Sequence, residues 1–265
     1  MTPASHYLVN PRPNPAAKSR LVVFPYAGGG AAVYYSWLDR LPADIELSIV
    51  RLPGRESLID SEPLCDARQA SAHIADTLAS ADKRPVAYFG HSLGALMAFE
   101  TAREQRRRGA PLPYLLMASA RSAAHLPMDR EPFFAMPRDA FFARLVEMGG
   151  MPEEMLAVPE LLEFVEPTLR ADLMINDTYE HTLEPPLPLP IVAFAGRHDS
   201  DFPEAGVARW SELTSASFQQ HIFDGGHFFL NTHRDELLRW VAHYAAEYRP
   251  SSAELTPGHR ELYFV

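Results

Sequence analysis

Residues 86–100, Val-Ala-Tyr-Phe-Gly-His-Ser-Leu-Gly-Ala-Leu-Met-Ala-Phe-Glu, limit the possible folds of this chain more than any other stretch. The apolar, β-prone run at 86–89 reads as a buried parallel strand, and Leu93, Leu96, Met97 and Glu100 open a helical pattern. Between them lies a Gly-x-Ser-x-Gly turn, in which Gly90 and Gly94 lack the β-carbons that would collide in a sharp strand-to-helix bend. A strand that passes straight into a helix is the unit of an α/β protein. The bend also sets Ser92 above a helix N-terminus, where orphan N–H groups and the dipole favour negative charge. The plain alternative is a capped strand-to-helix turn, but the flanking strand and helix make Ser92 a candidate nucleophile.

Other short apolar runs sit between turn signals at 21–24, 46–50, 114–117, 191–195 and 218–223. Helical periodicity separates most of them, at 67–79 (Ala70, Ile74, Ala75 and Leu78 on one face) and at 95–107. Strands alternating with helices imply right-handed crossovers and a mostly parallel sheet flanked by helices. No low-complexity linker divides the 265 residues, so a single domain over 1–265 is expected. One connection, 120–190, is far longer than a crossover needs. Within it, 138–148 (Phe141, Phe142, Leu145, Val146, Met148) and 159–179 (Leu161, Leu162, Val165, Leu169, Leu173, Met174) have helical spacing. Such an insertion is expected to form a lid over the C-terminal edge of the sheet, with most of its apolar residues in a small core and a few facing a ligand.

Composition narrows the function classes. A net charge of −10 disfavours nucleic acid and anionic membranes as partners. Arg106-Arg107-Arg108 reads as a solvated helix end before Gly109. The single cysteine, Cys65, excludes an internal disulfide framework, fits a reducing compartment and reads as a buried or incidental thiol. Residues 1–18 contain no apolar run, so neither a signal peptide nor a membrane span is expected, and the cytoplasm is the default location.

A nucleophile elbow calls for an acid after a later strand and a histidine after the last one. Gly196-Arg197-His198-Asp199 follows the run at 191–195, and Asp224-Gly225-Gly226-His227 follows that at 218–223. Asp199 is therefore the expected acid and His227 the expected base; Asp201 competes, but Asp199 lies directly after the strand. His91 is expected to pack or hydrogen-bond within the elbow. The oxyanion hole should combine the Leu93 N–H with one from the glycine loop at 25–30, by position Ala27. A phosphate-cradling role for Gly28–Gly30 is disfavoured, since no Gly-Lys-Ser/Thr and no Gly-x-Gly-x-x-Gly follows.

Taken together, Phe24-Pro25-Tyr26-Ala27-Gly28-Gly29, Leu52-Pro53-Gly54-Arg55, Gly90-His91-Ser92-Leu93-Gly94-Ala95, Leu169-Arg170-Ala171-Asp172 with Tyr179, and Gly225-Gly226-His227-Phe228-Phe229-Leu230 resemble the stand-alone type II thioesterases that accompany polyketide and nonribosomal peptide synthetases. The resemblance covers roughly residues 21–240 and departs at Leu93, where the family usually has methionine. It implies an α/β-hydrolase fold with a mobile helical lid. It also implies an editing enzyme that hydrolyses acyl thioesters held on the phosphopantetheine arm of a carrier domain, with no metal and no diffusible cofactor. The tail at 250–265 lies outside the matched segments and receives no role. A general carboxylesterase, an acyl-CoA thioesterase or an acyltransferase on the same scaffold remains open, as does a non-catalytic ligand-binding protein, although no member of the expected triad is missing.

Overall fold

The computed structural model describes residues 7–81, 83–128 and 130–251. Its strands are β1 (Leu8–Val9), β2 (Ser19–Phe24), β3 (Ile45–Val50), β4 (Val86–His91), β5 (Leu115–Ser119), β6 (Ile191–Gly196) and β7 (Phe218–Phe223). They form one sheet in the order β1-β3-β2-β4-β5-β6-β7. All neighbours pair in parallel except β1, which runs antiparallel to β3 with Leu8 opposite Val50. Every residue of β2, β3, β5 and β6 is buried, as expected of parallel strands covered on both faces, and this is why they read as mostly apolar runs, interrupted by the buried Ser19, Arg20, Glu46 and Ser48 in β2 and β3. The edge strand β7 is only partly buried.

Helices α1 (Ala67–Ala79) and α2 (Leu93–Arg107) cover one face, where Ile74, Leu96 and Phe99 pack with Tyr88 and Trp210. Asp66 caps α1 by accepting the Gln69 N–H at 2.7 Å. The other face packs against a 3₁₀ segment, Ala31–Trp37, and the C-terminal helix (Arg234–Glu247), through Trp37, Phe89, Phe194, Leu237 and Tyr244. The connection between β5 and β6 carries α3 (Arg138–Glu147) and α4 (Pro159–Asp177). Phe133, Phe141, Phe142, Leu145, Leu162, Leu169 and Leu173 form its own apolar cluster. Two shorter helices follow β6 and β7, α5 (Glu204–Ala208) and α6 (Phe229–Thr232), so the C-terminal helix is α7. Among the described residues no helix is long and apolar enough to cross a membrane.

The two-residue strand β1 lies in a stretch with no apolar run long enough to announce it. Arg106-Arg107-Arg108 closes α2 with Arg107 and Arg108 exposed, as expected, and all three are also ion-paired within the chain: Arg106 and Arg107 bind Glu184 at 2.6 and 2.7 Å, and Arg108 binds Glu104 and Asp76, each at 2.6 Å. Cys65 is exposed, which removes the buried one of the two readings offered for its thiol. His233 sits at the junction of α6 and α7 with non-helical backbone angles. The tail at 252–265 lies outside the described residues.

Candidate active site

The elbow is held in the geometry its glycines allow. Ser92 has φ 56° and ψ −119°, a conformation that costs a non-glycine residue about 1–3 kcal/mol and persists only where its surroundings enforce it. A β-carbon on Gly94 would lie 1.9 Å from the Phe24 carbonyl oxygen, and one on Gly90 would lie 2.1 Å from that of Gly94. The turn is pinned from outside as well, since the Ser92 N–H donates to the Ser119 carbonyl at 2.8 Å.

Asp199 and His227 meet as the sequence predicts. His227 Nδ1 donates to Asp199 Oδ2 at 2.7 Å, and both residues are buried. Asp199 Oδ1 accepts the Asp201 and Phe202 N–H groups, each at 3.1 Å, so the carboxylate is oriented by three donors. Asp201 is engaged elsewhere: both of its oxygens take Arg144 Nη2 of α3 at 2.7 Å. Of the two carboxylates, it is Asp199 that contacts His227. With Nδ1 committed to Asp199, Nε2 is the ring nitrogen of His227 left for other chemistry, and His227 lines the same cavity as Ser92.

Ala27 and Leu93 also line that cavity, and neither N–H has a hydrogen-bond acceptor among the described residues. Gly28 adopts φ +75°, which turns the loop beneath them. The loop is fastened by residues that the sequence marks without explaining. Arg55 forms a two-pronged pair with Asp172 of α4, at 2.6 and 2.8 Å, and also donates to the Gly29 carbonyl at 2.9 Å. Asp172 in turn accepts the Gly28 N–H at 2.7 Å. The distant Leu-Pro-Gly-Arg and Leu-Arg-Ala-Asp segments are thus one structure, a buried ion pair that ties the glycine loop to the insertion.

His91 hydrogen-bonds, one of the two roles expected of it, but to partners beyond the elbow. Its Nε2 donates to the His227 carbonyl at 3.0 Å, and its Nδ1 accepts from the Ser119 hydroxyl at 2.9 Å, the tautomer being fixed because a carbonyl can only accept. Burial, with the neighbouring His227 adding to it, holds the His91 imidazole well below its usual value and so neutral. It acts as a strut between the β4 and β7 ends and is not placed as a base. The cavity itself measures about 50 Å³, and much of its wall comes from the insertion, through Phe133, Leu145, Met148, Leu169 and Leu173. A groove of about 640 Å³ shares Tyr26, Ala27, Met151 and Leu169 with it and runs between Arg55–Glu56 and α4.

A mostly parallel sheet with a serine elbow, and an acid and a histidine at two later strand ends, defines an α/β-hydrolase. The model of the thioesterase domain family matches residues 19–244. The chain belongs to the thioesterase family, enzymes that hydrolyse thioester bonds. Gramicidin S biosynthesis protein GrsT of Aneurinibacillus migulanus is 34% identical over 235 residues, covering 89% of this chain and 92% of that protein. Linear gramicidin dehydrogenase LgrE of Brevibacillus parabrevis is 36% identical over 237 residues, covering 88% and 90%. Among solved structures, YbtT, the type II thioesterase of the yersiniabactin pathway, superposes with a TM-score of 0.83 at 30% identity, covering 92% of this chain and 100% of that one.

Proposed function

We propose that this chain is a type II, editing thioesterase that frees acyl groups from the phosphopantetheine arm of carrier domains in a polyketide or nonribosomal peptide assembly line. The observation that carries the reading is the convergence of Ser92, His227 and the two free N–H groups of Ala27 and Leu93 on one mostly apolar cavity. Similarity to proteins named for gramicidin S biosynthesis and for the yersiniabactin pathway supports the assembly-line partner. The dehydrogenase name borne by LgrE has no counterpart in this chain's residues, because Gly28–Gly30 lack dinucleotide-loop spacing.

In the mechanism, His227 Nε2 takes the Ser92 proton as Oγ attacks the thioester carbonyl, and Asp199 stabilises the imidazolium that forms. The Ala27 and Leu93 N–H groups receive the oxyanion, whose charge develops where donors are already oriented. The intermediate collapses to acyl-Ser92 as the C–S bond breaks, and His227 protonates the leaving thiolate. Water then gives its proton to His227 while its oxygen attacks the acyl carbon, and the acid departs as the proton returns to Ser92. The 640 Å³ groove is the path offered to the pantetheine arm, and the insertion at 120–190 acts as the lid of one domain. A cytoplasmic location accords with such a partner.

Ser92→Ala is expected to abolish release of acid from an acyl-carrier thioester; turnover at the wild-type rate would refute the assignment. Acyl-carrier, acyl-coenzyme-A and nitrophenyl ester substrates at equal concentration separate the editing enzyme from a general esterase, the carrier thioester being expected to give the highest kcat/KM.

A further inference from the structure

The groove that leads to the catalytic cavity opens on a surface for which the chemical steps have no use. Val33, Ile59 and Phe164 line its outer wall and stand exposed, Phe164 by 62%. On α4, Leu161, Phe164, Val165 and Thr168 share one face by helical spacing, so Leu161 extends the groove wall outward by a turn. Leu156 and Val158, just after the groove-lining Met155, are exposed too. Six of the nine large apolar side chains that are exposed among the described residues thus gather around one opening. Single exposed apolar residues need no explanation, but a gathered set with a polar surround marks an interaction site.

That surround is acidic. Residues 56–62 carry three carboxylates and residues 152–166 carry five, and neither stretch contains a lysine or an arginine. Two cations reach in from outside, Arg51 to 3.9 Å from Glu56 and Arg138 to 3.9 Å from Glu163, while Arg55 is engaged by Asp172. Glu153, Glu154 and Glu160 are exposed and form no ion pair among the described residues.

We infer that this rim docks the carrier domain, and that it selects a carrier whose face around the phosphopantetheinyl serine is both apolar and basic. This rests on the thioesterase reading above. Continuity identifies the occupant: the groove shares Tyr26, Ala27, Met151 and Leu169 with the cavity of Ser92, so a domain that threads its arm through the groove comes to rest on the rim. Charge identifies the kind of carrier. The arm is rooted in a phosphodiester, whose negative charge meets carboxylates while the nearest cations are already engaged. The attraction that offsets this repulsion therefore comes from basic groups on the carrier itself. The same carboxylates work against acyl-coenzyme A, whose further phosphates bring no basic groups with them. A second copy of this chain fits less well, since a twofold contact sets the rim against itself and like charges face each other.

The test uses one acetyl-loaded carrier domain made in two forms, with lysine or with glutamate at the exposed positions flanking the modified serine, and S-acetylpantetheine as the arm without a domain. The readout is kcat/KM for each carrier form relative to that for S-acetylpantetheine, so that effects on the chemical step cancel. The wild type is expected to favour the lysine form by about tenfold at low ionic strength, and the preference is expected to shrink in about 0.5 M salt. Glu153→Lys/Glu154→Lys is expected to remove most of that preference. Leu156→Ser/Leu161→Ser, which alters side chains outside the groove, is expected to lower both carrier ratios about tenfold. Should the serine variant misfold, the charge variant reads the same contact. Equal values for the two carrier forms, or carrier ratios that neither double variant changes, overturn the inference, while hydrolysis of S-acetylpantetheine leaves the thioesterase reading standing. A wild-type dimer in sedimentation that Leu156→Ser/Leu161→Ser splits gives the rim to a second copy and likewise overturns it. A folded wild type that hydrolyses neither the carrier nor the pantetheine thioester overturns the thioesterase reading and this inference with it.

Discussion

Ser92 can hold a left-handed backbone because Gly90, Gly94 and the Ser119 carbonyl leave it no alternative, and each of these constraints is short-range or lies one strand away. That locality made the elbow legible in the sequence. Asp199 was less secure, since Asp201 is two residues away and equally ionisable; what separates them is Arg144, a residue of α3 whose approach no spacing rule encodes. Asp199→Asn keeps the size of the side chain but offers His227 the wrong hydrogen-bonding partner. It is expected to lower kcat by roughly 10³–10⁴-fold with a much smaller change in KM, measured by steady-state hydrolysis of one acyl thioester. That His91 packs or hydrogen-bonds near the elbow was readable, but its partners, the Ser119 hydroxyl and the His227 carbonyl, leave no pattern along the chain.

Among the elements, the parallel strands were readable because burial on both faces writes an apolar run, and the amphipathic helices because one face does. β1 was not, being two residues long and secured by pairing with β3. The three arginines ending α2 read correctly as a helix end, but their partner Glu184 did not, because only the chain returning from the insertion brings it against them. The Arg55–Asp172 pair joins two such elements, with both side chains buried. Removing one partner strands a buried charge, so Asp172→Ala is expected to destabilise the protein by about 3–5 kcal/mol in chemical denaturation. It should also slow thioester hydrolysis, because the Gly28 N–H loses the acceptor that shapes the oxyanion loop.

Across the whole molecule, two large apolar layers clamp the sheet, while the insertion has a smaller cluster of its own. The α/β class and the helical insertion followed from the order of apolar runs along the chain. The way in which the insertion closes the site did not, because it depends on pairings more than a hundred residues apart, such as Arg55 with Asp172. This division of the core predicts a graded stability. Amide exchange followed by mass spectrometry is expected to be slowest in β2, β4 and β5 and measurably faster in α3, which opens without unfolding the sheet. Equal protection of α3 and β4 would instead make the insertion an inseparable part of the core.

The tie between the glycine loop and α4 also bears on how such an enzyme can diverge. Because Asp172 holds the Gly28 N–H, a tilt of α4 that widened the acyl cavity would drag the Ala27 N–H away from the developing oxyanion. New substrates obtained by moving that helix would come at the expense of rate. The freer route to altered selectivity is to exchange side chains on the wall that carries no such link, at Phe133, Leu145 and Met148, and libraries built there should retain turnover more often than libraries built on α4.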